Sequence, residues 1–240
     1  MDLLDLGSLH VRRHTNTSET AANRAPLTVV LLHGFGAPGD DLAALASAIQ
    51  APPGTTFLFP EALRALSEFV GPQAGDARCW WMIDFARLER AIATGEARDL
   101  TNDVPEGLAD ANAAVNEMLD DVAKVSPPNA RIILGGFSQG AMLSIDVALR
   151  NSKRELAGVV ALSGTLLAEK EWGPLMPARK GLPIFQSHGT KDVLLPYAIA
   201  ERLRDKLSDA GWPTTFERFE DGHTIPIRVL SRLGDWLRAL

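Results

Sequence analysis

Residues 131–142, RIILGGFSQGAM, constrain this chain more than any other stretch. Ile132, Ile133 and Leu134 form a short apolar, mostly β-branched run, the pattern of a strand buried on both faces. The segment 135–140 follows without a spacer, and residues 141–149 continue as an apolar helix. A strand that enters a helix through G-x-S-x-G must turn sharply at the serine. Gly136 and Gly140 suit such a turn, because the backbones approach too closely to leave room for a Cβ. Ser138 is therefore expected at strained φ/ψ, its hydroxyl raised clear of the sheet and its amide at a helix N-terminus. A glycine-rich loop with an idle serine is the plain alternative, and it leaves the strand–turn–helix context unexplained.

The same alternation runs along the chain. Strands are expected at 28–32, 56–59, 157–162, 182–186 and 214–219, and helices at 42–50 (capped by Asp40 or Asp41), from Pro105 to 125, and at 196–210. A last helix follows residue 223, with Ile227, Leu230, Leu233, Trp236 and Leu237 on one face. Leu3–Leu4 and residues 9–12 suit edge strands, 15–26 reads as a polar loop, and 61–100 is irregular, with a charged stretch at 87–99. Strands alternating with helices imply a mostly parallel central sheet with helices on both faces. No repeat, linker or low-complexity tract interrupts the 240 residues, so a single domain over 1–240 is expected.

Composition narrows the partners. A net charge of −6 offers no attraction to nucleic acid or an anionic membrane. No apolar run approaches the roughly 18 residues that a membrane span needs, and the acidic N-terminus lacks a signal-peptide core, so a cytoplasmic protein is expected. Cys79 is the only cysteine, which excludes an internal disulfide and a thiolate-rich zinc site. With no base beside it in sequence, it reads as a buried free thiol.

A serine hydroxyl needs a base, and the base needs an orienting acid. His10 and His14 lie in the N-terminal segment and read as solvated. His33 and His188 each follow an apolar strand and precede glycine, which suits a packed or backbone-bonded ring. His223 sits in the turn after the last strand, so it is the expected base, with His188 the alternative. Asp192 follows a buried strand and precedes Val193-Leu194-Leu195, which makes it the expected acid, with Asp221 the alternative. Ser138, Asp192 and His223 all fall in loops at strand carboxyl ends, in the chain order that accompanies this turn. Two amides are needed for an oxyanion, one from Gln139 and one from the loop holding His33-Gly34-Phe35-Gly36, and because the amides act, the side chains of Phe35 and Gln139 are freer to vary. Trp80, Trp81, Leu166, Leu167, Leu194 and Ile225 lie in or beside these loops and are candidates for an apolar acyl pocket, core packing being the alternative for each. Two adjacent tryptophans on an extended segment point opposite ways, so one of Trp80 and Trp81 is the strongest pocket candidate.

The stretches LLHGFGAPGDD (31–41), RCWWMID (78–84), RIILGGFSQGAML (131–143), LAGVVALSG (156–164), HGTKDVLLP (188–196) and DGHTIP (221–226) resemble the α/β-hydrolase carboxylesterases related to acyl-protein thioesterase and lysophospholipase. The resemblance covers almost the whole chain. It implies an α/β-hydrolase fold without a large separate cap domain, a triad of Ser138, Asp192 and His223, and oxyanion amides at Phe35 and Gln139. It further implies hydrolysis of carboxylic esters through an acyl-enzyme, on a small ester or lipid-like acyl substrate, with an acylated protein as a further substrate class and no cofactor or metal. The segment 85–103 is longer and more charged than the family pattern, so acyl-chain preference does not transfer. Thioesterase, lysophospholipase or acyltransferase chemistry uses the same triad, and a catalytically dead binding module is the reading from another class.

Overall fold

The computed structural model describes residues 1–16, 25–95 and 98–240. Its N-terminal strands β1 (Asp2–Leu6) and β2 (Leu9–Thr15) form an antiparallel hairpin. They are followed by β3 (Leu27–Leu32) and β4 (Thr56–Pro60), by a separate short ribbon of β5 (Arg64–Ala65) and β6 (Arg78–Cys79), and by β7 (Arg131–Phe137), β8 (Gly158–Leu162), β9 (Ile184–Gly189) and β10 (Thr214–Phe219). The eight strands of the main sheet lie in the order β1-β2-β4-β3-β7-β8-β9-β10, parallel from β4 to β10. From β3 the chain steps outward to β4, then crosses back to β7 and continues the other way. The carboxyl ends of β3 and β7 therefore meet where the winding reverses, and a crevice opens there.

The apolar runs are buried on both faces because successive side chains point to opposite sides. Val30, Leu32 and Leu134 face one core, which α4 (Leu108–Val125), α5 (Gln139–Arg150), α6 (Glu169–Leu175) and α7 (Tyr197–Asp209) close. Val29, Leu31 and Ile133 face the other, closed by α1 (Leu45–Ala48) and α8 (Ile227–Ala239). This is the α/β-hydrolase arrangement that the resemblance implies.

Several local expectations are corrected. The helix expected at 42–50 is a single α-turn, and neither Asp40 nor Asp41 caps it with a side chain. Residues 38–47 wind instead through i→i+3 bonds such as Ala43 N–H to the Asp40 carbonyl. The helix opened by Pro105 starts at Leu108, after Gly107 in left-handed geometry. In α8 Ile227 is 75% exposed, and Val229 and Gly234 join the buried face instead. The irregular stretch contains α2 (Ser67–Val70) and α3 (Phe85–Thr94), the latter capped by Asp84, whose carboxylate accepts the Arg87 amide at 2.9 Å. Most of the expected polar loop 15–26, and residues 96–97 of the charged stretch, lie outside the described residues.

Candidate active site

Ser138 sits between β7 and α5 at φ 54°, ψ −113°, outside the regions a serine ordinarily occupies. Such a conformation costs about 1–3 kcal/mol and persists only where the surroundings hold it. Its amide donates to the Leu162 carbonyl at 2.9 Å, and its carbonyl accepts the Met142 amide at 3.1 Å. The flanking glycines do what the motif requires. A Cβ on Gly136 or Gly140 would stand 2.4 or 2.1 Å from the Leu32 carbonyl oxygen, so β3, the turn and α5 close up only without side chains there.

Asp192 and His223 come together from the ends of β9 and β10. Asp192 Oδ2 lies 2.6 Å from His223 Nδ1, while Oδ1 accepts the amides of Leu194 and Leu195, each at 2.9 Å. A carboxylate only accepts, so Nδ1 carries the proton and Nε2 of the neutral ring holds the lone pair. Burial pushes the Asp192 carboxyl up, but bonds from His188, His223 and the Leu195 amide outweigh it and hold the group well below the usual carboxylate range. The two loops are locked to each other. Lys191 N–H donates to the Asp221 carbonyl at 3.0 Å, and a Cβ on Gly189 would strike the Asp221 and Gly222 carbonyls; from the end of β8, Ser163 Oγ also donates to the Thr224 carbonyl at 3.1 Å. Phe137 packs its ring 4.8 Å from that of His223.

The alternatives are placed elsewhere. Asp221 is exposed and its carboxylate accepts the neighbouring Gly222 amide. His188 is fully buried behind the acid: Nε2 donates to the Leu195 carbonyl at 2.8 Å and lies 3.3 Å from Asp192 Oδ2, leaving Nδ1 without a partner. His33 is buried and bonded to backbone, Nδ1 to the Gly34 carbonyl and Nε2 to the Ala62 amide, and burial lowers its proton affinity. Cys79 is a buried thiol that burial pushes up, away from the thiolate.

Ser138 and His223 line one cavity of about 580 Å³ together with Phe35, Gln139, Trp81, Leu167 and Leu194. Trp80, Leu166 and Ile225 are not among its lining residues. Trp80 faces inward, fully buried, with its indole N–H donating to the His33 carbonyl at 2.9 Å, and so fixes the Phe35 loop from behind. Leu166 is buried in the core closed by α4–α7 and Ile225 packs against the opposite one, closed by α1 and α8. Gln139 departs from expectation, since its side chain is not free to vary. Oε1 accepts the Trp80 amide at 2.9 Å and Nε2 donates to the Trp81 carbonyl at 2.8 Å, so the residue after the serine clamps the segment just past β6 that brings Trp81 to the cavity. Met82, Leu88 and Leu100 complete the apolar wall, a role visible only once 78–105 is folded over the sheet.

Residues 15–240 match the phospholipase/carboxylesterase family model. Acyl-protein thioesterase 1 of Neurospora crassa is 27% identical over 225 residues, covering 90% of this chain and 88% of that protein. The Kluyveromyces lactis protein of the same name is 32% identical over 181 residues, 73% of each chain. Among solved structures, esterase PE8 superposes with a TM-score of 0.72 at 26% identity, over 96% of this chain and 98% of its own. The Bacillus cereus carboxylesterase reaches 0.69 at 19% identity, over 96% and 94%, a likeness of fold. By the extent of the family match, by the α/β-hydrolase sheet and by its strained elbow serine, this chain belongs to the phospholipase/carboxylesterase family.

Proposed function

We propose that the chain hydrolyses carboxylic esters through a covalent acyl-enzyme formed on Ser138. The single observation that carries this is the Asp192–His223 bond at 2.6 Å, with His223 and the strained Ser138 lining one largely apolar cavity. Nε2 of His223 takes the hydroxyl proton as Oγ bonds to the substrate carbonyl carbon. The oxyanion that forms lies between the Phe35 and Gln139 amides, and each such donor contributes about 3 kcal/mol in the transition state. Collapse breaks the ester bond, and the imidazolium returns its proton to the departing alcohol. Water then attacks the acyl-enzyme with His223 again the base, releasing the acid and restoring Ser138. Asp192 keeps its charge throughout and stabilises the imidazolium.

The apolar part of the wall favours a short to medium acyl chain as the bulk of the substrate. The names of the fungal relatives favour a second reading on the same residues, cleavage of a thioester on an acylated protein. Paired oxygen esters and thioesters of equal chain length separate the two. Ser138→Ala is expected to lower kcat/KM on p-nitrophenyl butyrate by at least about 10³-fold with the fold retained, and to abolish labelling by a fluorophosphonate. An undiminished rate in that variant would remove Ser138 from the mechanism.

A further inference from the structure

The cavity wall is not wholly apolar. Beyond the reacting groups it carries Asp84, Arg87, Arg98 and Asp103. Three of these are engaged. Arg87 pairs with Asp103 at 2.5 Å and donates to the Asp99 carbonyl, and Asp84 caps α3 through the Arg87 amide from an exposed position. Arg98 is different: among the described residues no carboxylate stands within ion-pair distance of it, and its Nε is buried without an acceptor. Burial, then the neighbouring Arg87 cation, lowers its proton affinity, while Asp103 and Asp84 act in the opposite sense. The chain just after it is pinned. Leu100 is buried, the Thr101 carbonyl accepts the Glu169 amide at 2.7 Å, and the Asp103 carbonyl accepts the Ala168 amide at 3.1 Å.

A part-buried guanidinium on an apolar wall loses hydration and gains nothing from a neutral chain. An oxyacid anion repays that loss, since the fork of a guanidinium matches two of its oxygens at once. We propose that Arg98 binds a carboxylate or phosphate carried by the ester substrate itself, at a point remote from the scissile carbonyl. The substrate class is then an ester with one anionic end, the anion belonging either to the acyl chain or to the alcohol. This rests on the ester-hydrolase reading of Ser138.

Two substrate pairs distinguish the sources. Mono-p-nitrophenyl adipate against p-nitrophenyl hexanoate places the charge on the acyl side; 1-butyrylglycerol 3-phosphate against 1-butyrylglycerol places it on the alcohol side. In one arm the charged ester is expected to have the higher kcat/KM, and Arg98→Gln to cut the charged-to-neutral ratio about tenfold, the size of one charge-assisted bond. Arg98→Lys, which keeps the charge and loses the fork, is expected to retain part of the preference. Calorimetric binding to the Ser138→Ala protein supplies a readout without turnover: hexanoate against hexanamide, and glycerol 3-phosphate against glycerol, each with and without Arg98→Gln. Ratios and affinities unmoved by Arg98→Gln would overturn the anion site and leave ester hydrolysis standing. Arg98-dependent anion binding in a protein that cleaves no ester would leave the site standing and overturn the Ser138 reading.

Discussion

Asp192 is the residue on which the pH response turns. Burial pushes its carboxyl up, but four donors, the imidazoles of His188 and His223 and the amides of Leu194 and Leu195, prevail and lower it below its ordinary value of 3.8. Unfolding returns it to that value, so in acid the unfolded chain binds the proton that the folded chain refuses. The stability it contributes is complete above about pH 4 and drains away as pH falls toward the folded value. Urea unfolding between pH 5 and 3 is expected to show a shallower fall in Asp192→Asn than in the parent; equal slopes would contradict the assignment. In the proposed mechanism His188 acts on the reaction through this carboxylate. Its Nε2, not Nδ1, meets the acceptors, so Gln reaches the donor position and Asn does not. His188→Asn is expected to lose about tenfold in kcat, the worth of one bond to a charged group, with His188→Gln recovering most of it. Equal losses in both would assign His188 to packing alone.

At the scale of elements, the elbow depends on how closely β3, β7 and α5 approach. Gly140→Ala sets a Cβ 2.1 Å from the Leu32 carbonyl oxygen, a backbone atom that cannot swing aside. The helix or the strand must shift, at a cost of about 1–3 kcal/mol or more. The expected outcome is a lowered denaturation midpoint together with a lost rate, because any shift moves the Gln139 amide; a normal rate in a stable variant would show that the elbow has slack. This turn was legible in the sequence, since strand, glycines, serine and helix lie within one short stretch. Helix α3 was not read, although Phe85, Leu88 and Ala91 recur at helical spacing between the Asp84 cap and a left-handed Gly95, because Arg87, Glu89 and Arg90 between them read as a charged stretch; in the fold Phe85 stands edge-on to Phe35 at 5.7 Å.

At the scale of the whole molecule, the helices behind the cavity are joined through one buried carboxylate. Asp146, fully buried in α5, accepts Asn112 of α4 at 2.7 Å, Trp172 of α6 at 2.8 Å and its own neighbour Arg150 at 2.8 Å. Asp146→Ala leaves three donors facing a void, and breaking a buried charged network of this kind costs about 3–5 kcal/mol. Chemical unfolding is expected to show that loss; a change under about 1 kcal/mol would mean that water replaces the carboxylate. None of the described helices is long and apolar enough to cross a membrane.

The residues themselves determined the alternation of elements, the buried faces of the sheet, the tight turn at Ser138 and the short choice of acids and bases. Each follows from local sterics and periodicity, which act over a few residues. The tertiary structure decided what depends on distant approach: that Asp192 takes His223, 31 positions away, and shares itself with His188. It also decided that Gln139 clamps the tryptophan pair, Trp80 lying 59 positions upstream, and that Trp81 and not Trp80 faces the cavity. Such contacts are set by the winding order of the sheet, which brings loop ends together irrespective of the spacing between them along the chain.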